Sequence, residues 1–319
     1  MALVNIKQIA TDIGVSAATV SNALNGNGRV SADMIDRIKD RAEKLGYRPS
    51  ITARALKTGK TGILGLVMPD LTNPLFPRIA QTLSLAAEQR GMGILIGDSR
   101  GSADEQSEAL RRLVDRGVDG LLVVPQKGTS PDPMPVPAVI INTASDPRNS
   151  VSADHAGGGA LVAQHISGLG HKSVVILGGD PVSEVQRDRI VGMKDALPAD
   201  VTAQIVWGDS GIVGIPRRIA QGATAIMTTS DLLALQVLTE LTRAEYAVPR
   251  DVSLTGFDDM SLASIMHPPL TTVAQDVEQM AERAIDILTL MIRDKPVPET
   301  GETISMRLVV RESTSPLIN

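Results

Sequence analysis

A chain of 319 residues, 43% hydrophobic and 21% charged, is long enough for about two folding units plus a small segment and apolar enough to bury a sizeable core, so bulk disorder is excluded. With no cysteine, disulfide scaffolds, thiolate metal sites and thiol nucleophiles are excluded together, and a reducing cytoplasm is the expected compartment. The net charge of −5 conceals a split: residues 1–60 carry ten Lys/Arg against five Asp/Glu, a net of +5, and the remainder carries −10. A basic head on an acidic body suits a polyanionic partner, although a basic stretch is also an ordinary solvated surface. Lys7 and Asp12 interrupt the start before an apolar signal core could form, and no run of about 18 apolar residues follows, so neither an export signal nor a membrane span is expected.

The head reads as three short helices. Ile6, Ile9, Ala10 and Ile13 fall at i, i+3, i+4 and i+7, one apolar stripe that stops at Gly14. Ser16 is placed to cap a second helix reaching about Leu24, with Val15 and Val20 as a hydrophobic staple. After Asn25-Gly26-Asn27-Gly28, Ser31 is placed to cap a third helix whose stripe is Ile35, Ile38, Ala42 and Leu45, ended by Gly46. Two short helices joined by Gly14-Val15-Ser16 form either a helix-turn-helix, whose second helix enters the DNA major groove, or a plain helical hairpin; the basic charge favours DNA.

From Ile63 the pattern changes to apolar strands alternating with amphipathic helices. Strands are predicted at 63–68, 93–97, 121–124 and 139–142, with helices near 77–90 and 104–116. A second series has strands at 174–177, 205–207, 224–227 and 253–256, with helices near 157–167, 188–197 and 231–243. Two parallel sheets are implied. The stretch Pro131 to Pro137 is a loop within the first sheet's half, because another of its strands follows. In open parallel sheets ligands bind beyond the carboxyl ends of the strands. Those ends carry Asp70, Asp98, Asn142, Asp209, Asp231 and Asp258, of which about half, Asp231 included, have the alternative role of helix caps.

The motifs together resemble the lactose repressor (LacI/GalR) family of bacterial transcription regulators. The likeness is carried by Ile6-Lys7-Gln8-Ile9-Ala10 through Gly14-Val15-Ser16-Ala17-Ala18-Thr19-Val20-Ser21-Asn22-Ala23-Leu24-Asn25, by Gly46-Tyr47-Arg48-Pro49 leading into Ala53-Arg54-Ala55-Leu56, and by four later motifs in family order. These are Asp70-Leu71-Thr72-Asn73-Pro74-Leu75-Phe76, Arg116-Gly117-Val118-Asp119-Gly120, Ser230-Asp231-Leu232-Leu233-Ala234-Leu235 and Thr255-Gly256-Phe257-Asp258-Asp259. The resemblance implies a small all-α helix-turn-helix head (1–49), a hinge helix and linker (50–61) and a periplasmic-binding-protein-like α/β body (62–319) of two doubly wound parallel-sheet lobes. Crossovers between the lobes are expected near 143, 275 and 302, giving one lobe of 62–143 and 276–301 and another of 144–275 and 302–319. It further implies a homodimer, or a higher multiple of one, on a pseudo-palindromic operator, repressing transcription under control of a small polar effector, with no cofactor, metal or membrane.

By the same resemblance Ala17, Ala18 and Asn22 face base edges: asparagine can bond bidentately to adenine, and alanine methyls can meet a thymine methyl. Plain helix-favouring surface is the alternative for the alanines. Ser16, Thr19, Ser21 and Asn25 suit phosphate contacts. Ala53 and Leu56 belong to the hinge motif, and Leu56, an apolar residue in a basic stretch, matches a leucine that wedges into the minor groove; packing on a partner or on the body is the other role open to it. The effector set is Asn73, Phe76, Asn142, Arg189 and Asp258, with Asp231 beside them; a solvated helix charge is the other role open to Arg189. Amides and carboxylates suit the hydroxyls of a sugar or nucleoside. The family often has a stacking aromatic where Ser210 stands, which leaves Phe76 as the main ring and Trp207 as core.

Two motifs point elsewhere. Gly97-Asp98-Ser99-Arg100-Gly101 fits the nucleophile-elbow pattern, but Ser102, followed by Asp104 and Glu105, is the better helix cap and displaces the serine from the turn that chemistry needs. Gly208-Asp209-Ser210-Gly211 is a protease-like fragment without its context. His155, His165, His171 and His267 are scattered and expected as surface or cap residues. An exported solute receptor, the third class, lacks a reason for the basic helical head.

Overall fold

The computed structural model describes residues 5–24, 30–47, 59–129 and 133–317. It divides the chain into a unit of residues 1–61 and a unit of residues 62–319. The first contains α1 (Ile6–Ile13), α2 (Ala17–Leu24) and α3 (Ala32–Lys44). Asn5 caps α1 by accepting from the Gln8 amide, and Gly14 ends it in the left-handed region at φ 77°. The Ser16 hydroxyl accepts from the Thr19 amide at 3.0 Å, so the expected cap of α2 forms. Ser31 occupies the cap position of α3, but its side chain makes no capping bond. Ile9, Val20, Ala23 and Ile38 close the small core, with Val15 packed at its edge. Asn25, Ala53 and Leu56 lie outside the described residues.

In the body, β1 (Ile63–Met68), β2 (Gly93–Asp98), β3 (Gly120–Val123) and β4 (Ala138–Ile140) form a parallel sheet in the order β2-β1-β3-β4, with α4 (Leu75–Gln89) and α5 (Ala103–Asp115) in the crossovers. β1 and β3 read as unbroken apolar runs because helices cover both faces of the sheet. After β5 (Val151–Ala153) and α6 (His155–Gly168), the second sheet has the order β7-β6-β8-β9, from β6 (Ser173–Gly178), β7 (Thr202–Trp207), β8 (Ala225–Thr228) and β9 (Ser253–Thr255). Its helices are α7 (Glu184–Asp195), α8 (Gly208–Val213), α9 (Ile215–Ala220) and α10 (Asp231–Arg243). The chain ends through β10 (Thr272–Gln275), α11 (Val277–Ile292), β11 (Glu302–Ile304) and β12 (Met306–Val309).

The short closing strands correct the expected crossovers. β5 pairs with β11 and adjoins β4 through an Ile141–Val151 bridge, and both Val151 and Ile304 lie in the core of the first sheet. β12 pairs with β10, which adjoins β9 through a Thr255–Thr271 bridge. The chain therefore leaves the first sheet at Asp154 rather than near 143, and for the second time at residue 305 rather than near 302; the middle crossing stays near 276. β5 and β11 are three residues each, too short to show a period of two.

The histidine expectation is also corrected at two places. His155 opens α6 and is buried. His171 is buried too, its ring bridging Thr224 Oγ1 at 2.9 Å, Ser253 Oγ at 3.0 Å and the Ser315 carbonyl at 3.1 Å, which ties the C-terminal segment to the second sheet.

α6 and α7 pack unusually close. A Cβ on Gly159 would lie 2.2 Å from the Arg189 carbonyl oxygen, and one on Gly192 would lie 1.9 Å from the Ala156 carbonyl oxygen. Backbone atoms cannot step aside, so Gly159→Ala and Gly192→Ala should each destabilise the body by about 1–3 kcal/mol, the usual cost of overpacking. Gly168, at the open end of the same helix, has nothing within 4 Å. Its alanine variant should melt at or above the wild-type temperature, and calorimetry of the three variants checks the contrast.

Candidate functional site

On the head, Ala17 and Ala18 are exposed at the start of α2 while Val20 and Ala23 face the core; Asn22 and Ser21 are half-buried one turn further on. Ser16 is exposed, and its hydroxyl lies 2.8 Å from that of Thr19. The surface offered is thus two methyl groups flanked by small hydroxyls and one amide.

In the body, a cavity of about 290 Å³ opens at the carboxyl ends of both sheets. Asn73, Phe76, Asn142, Arg189 and Asp258 all line it, as do Asp70, Lys127, His155, Glu184 and Gln275. Asp231 is not on its wall. That carboxyl is fully buried, accepting from Thr272 Oγ1 at 2.6 Å and the Met260 amide at 2.7 Å, so it braces the turn that carries Asp258. Ser230 supplies the cap of α10, accepting from the Leu233 amide at 3.2 Å. Trp207 packs in the second core against Gly178, and Ser210 bonds its own turn.

Arg189 organises the floor of the cleft. Its guanidinium donates to the Thr229 carbonyl at 2.7 Å, to Asp258 Oδ1 at 2.8 Å and to His155 Nδ1 at 3.3 Å, and lies 4.0 Å over the Phe257 ring. Gln275 donates to the same Asp258 oxygen at 2.6 Å. Asp258 Oδ2 is then the oxygen available to a ligand donor. Burial and the neighbouring Arg189 hold the His155 ring well below the usual imidazole range, so it is neutral. With Nδ1 accepting, the ring proton sits on Nε2, toward the Asn142 carbonyl. Asn142 Nδ2 donates across the cleft to Glu184 Oε2 at 2.8 Å, Thr143 Oγ1 donates to Asp188, and Lys127 pairs with Asp180 at 3.4 Å. His155, Glu184 and Gln275 were missed in the sequence: none sits at the end of a predicted strand, and each reaches the cleft only through a helix start or a crossover.

Ser99 is fully buried and donates to the Pro69 carbonyl at 3.1 Å, and Ser102 caps α5. The elbow-like motif is therefore an ordinary strand-to-helix connection.

Residues 5–50 match the model for bacterial regulatory proteins of the lacI family, and residues 163–314 match that for a periplasmic binding protein-like domain. The transcriptional regulator AscG of Escherichia coli (strain K12) is 30% identical over 329 residues, covering 96% of this chain and 97% of its own. The chain belongs to the LacI family. The ribose operon repressor of Bacillus subtilis (strain 168) is 28% identical, with 98% and 99% covered. Among solved structures, the Lac repressor dimer bound to operator and the anti-inducer ONPF has a TM-score of 0.81 at 24% identity over 98% of this chain and all of that one. The CelR–cellobiose complex has a TM-score of 0.70 at 26% identity over 97% of this chain and 99% of that one. The protein is accordingly a LacI-family transcriptional regulator and not an enzyme. Among the described residues no helix is long and apolar enough to cross a membrane.

Desolvation pushes the Asp231 carboxyl up to about 7. An acid raised in the folded state loses nothing below about pH 4, where the unfolded chain is protonated as well. Stability then falls as pH rises toward 7, because folding must keep this proton or bury a charge. Asp231→Asn should raise the melting temperature at pH 8 and lose that advantage at pH 4, checked by thermal melts across the range.

Proposed function

We propose that the protein is a sequence-specific repressor that binds a pseudo-palindromic operator as a homodimer, with its hold on DNA set by a small polar effector, a sugar or nucleoside, in the cleft. The observation that carries this reading is the cleft itself: polar side chains from both sheets converge on one cavity in a chain that also bears a helix-turn-helix head. Residues 1–49 read DNA, 50–61 link, and 62–319 bind effector and pair the chains. Ser16, Thr19, Ser21 and Asn25 contact phosphates; Ala17, Ala18 and Asn22 contact bases; Ala53 and Leu56 meet the minor groove. Exposed Leu85 on α4 and Leu95 and Ile96 on the edge strand β2, with Val213, Leu235 and Ile265 in the second half, supply apolar surface for a second copy. The protein works in the cytoplasm, at the nucleoid when on its operator. The names of relatives, two of them ribose operon repressors, and the cellobiose held by CelR favour a sugar over a nucleoside.

Selection of duplexes from a random pool should enrich a two-fold symmetric sequence, bound with an affinity that falls steeply with salt. Asn22→Ala should relax the preference at one position per half-site by about 1–3 kcal/mol; equal weakening on every sequence would make it a backbone contact. In the body, removing one member of the buried Arg189–Asp258 pair leaves the other charge stranded, at a cost of about 3–5 kcal/mol. Arg189→Lys, which keeps the charge and loses the planar fork, is the cleaner probe. It should abolish the effect of whichever sugar or nucleoside from a thermal-shift panel shifts operator affinity, while leaving operator binding itself intact. Retention of full ligand affinity would place the effector elsewhere.

A further inference from the structure

The motif Arg116-Gly117-Val118-Asp119-Gly120 plays no part in the cleft, which lies at the other end of the strands. Asp119 stands just before β3, and its carboxylate Oδ2 accepts from the Gly62 amide at 2.7 Å. The Asp119 amide in turn donates to the Ile63 carbonyl at 2.8 Å, and the Gly93 amide donates to the Gly62 carbonyl at 2.9 Å. Gly62 is the first residue of the body, with φ 72° in the left-handed region that favours glycine. The root of the linker is thus bonded on both sides of one residue: a carboxylate takes its N–H, and the edge strand takes its C=O. The side chain holding it is a charged acceptor, the strong kind.

The same turn touches the helix that begins at the cleft. Gly120 packs closely on it: a Cβ there would lie 2.9 Å from Leu288 Cδ1 and 3.1 Å from Ile292 Cδ1. Both belong to α11, whose Met280 lines the cavity and whose preceding crossover residue, Gln275, bonds Asp258. The 16 residues of α11 span about 24 Å as one rigid element. One helix therefore meets the cleft near its start and the linker-root turn near its end.

On the DNA-binding reading above, we infer that Asp119 is a positioning residue for operator binding: it fixes the direction in which the linker leaves the body, at the turn where α11 delivers movement of the cleft. The test uses the full chain as wild type, Asp119→Ala and Asp119→Asn, a duplex selected by the wild type from a random pool, and hydrogen exchange read by mass spectrometry. Asp119→Ala should bind that duplex about tenfold more weakly, as expected for loss of one hydrogen bond to a charged group. It should select the same consensus, with exchange accelerated at Gly62 and unchanged along β1. Asp119→Asn keeps a side-chain carbonyl acceptor and should stay within about threefold of wild type. Operator affinity of Asp119→Ala within about twofold of wild type overturns the inference, as does exchange that rises through β1 and β3 together, which marks a purely structural residue. Failure of the wild type to enrich any sequence would sink the DNA-binding reading, and this inference with it, by a different result.

Discussion

A buried guanidinium has to be neutralised and hydrogen-bonded on every side, and Arg189 sets that demand at the centre of the body. Its surroundings follow from it. One carboxylate, Asp258, supplies the countercharge; one backbone carbonyl, at Thr229, takes a second bond; a neutral imidazole, His155, takes the third; and the Phe257 ring covers a face. A second carboxylate in place of His155 would leave an excess negative charge in the same low-dielectric site. The imidazole accepts without adding charge, and burial keeps it in that form.

The close contact of α6 with α7 serves this arrangement. Arg189 lies on α7 and His155 opens α6, so the side chains meet only because Gly159 and Gly192 let the two backbones approach. Glycines in a helix cost backbone entropy and would be poor choices on propensity alone. Here tertiary packing overrides propensity, and the run Gly157-Gly158-Gly159 remains helical with Asp154 as its cap and Phe257 packed over Gly158. Asp258 itself sits at φ 103°, a strained conformation for a side chain, and it is held there by Arg189, Gln275 and the Val273 carbonyl.

The cleft is assembled from both halves. Phe76 and Asn73 come from the connection after β1 and the start of α4, Asn142 from the end of β4, and Arg189 and Asp258 from the second half. Cross-cleft bonds from Asn142 to Glu184 and from Thr143 to Asp188 make relative movement of the two halves the natural variable for a ligand to bias. A ligand that bonds both walls at once changes that variable; one that bonds a single wall does not.

The sequence by itself determined the helix-turn-helix head and the two series of alternating strands and helices, and it named six cleft candidates of which five line one cavity. Long apolar runs and helical stripes are local patterns, and the polar residues Asn142 and Asp258 stand at strand ends, where parallel-sheet geometry puts ligands. What only the tertiary structure decided was how those residues are used. Asp231 looks like its neighbours in sequence, yet it is enclosed beneath the turn it braces, because burial depends on what packs over a residue and not on its position at a strand end. The three-residue strands β5 and β11 owe their existence to each other, from segments about 150 positions apart, so no local period announces them. His155 and Gln275 reach the cleft from a helix start and a crossover whose paths are set by the close packing of α6 on α7 and by the pairing of β10 with β12. Pairings of that range cannot be read from neighbours in the chain.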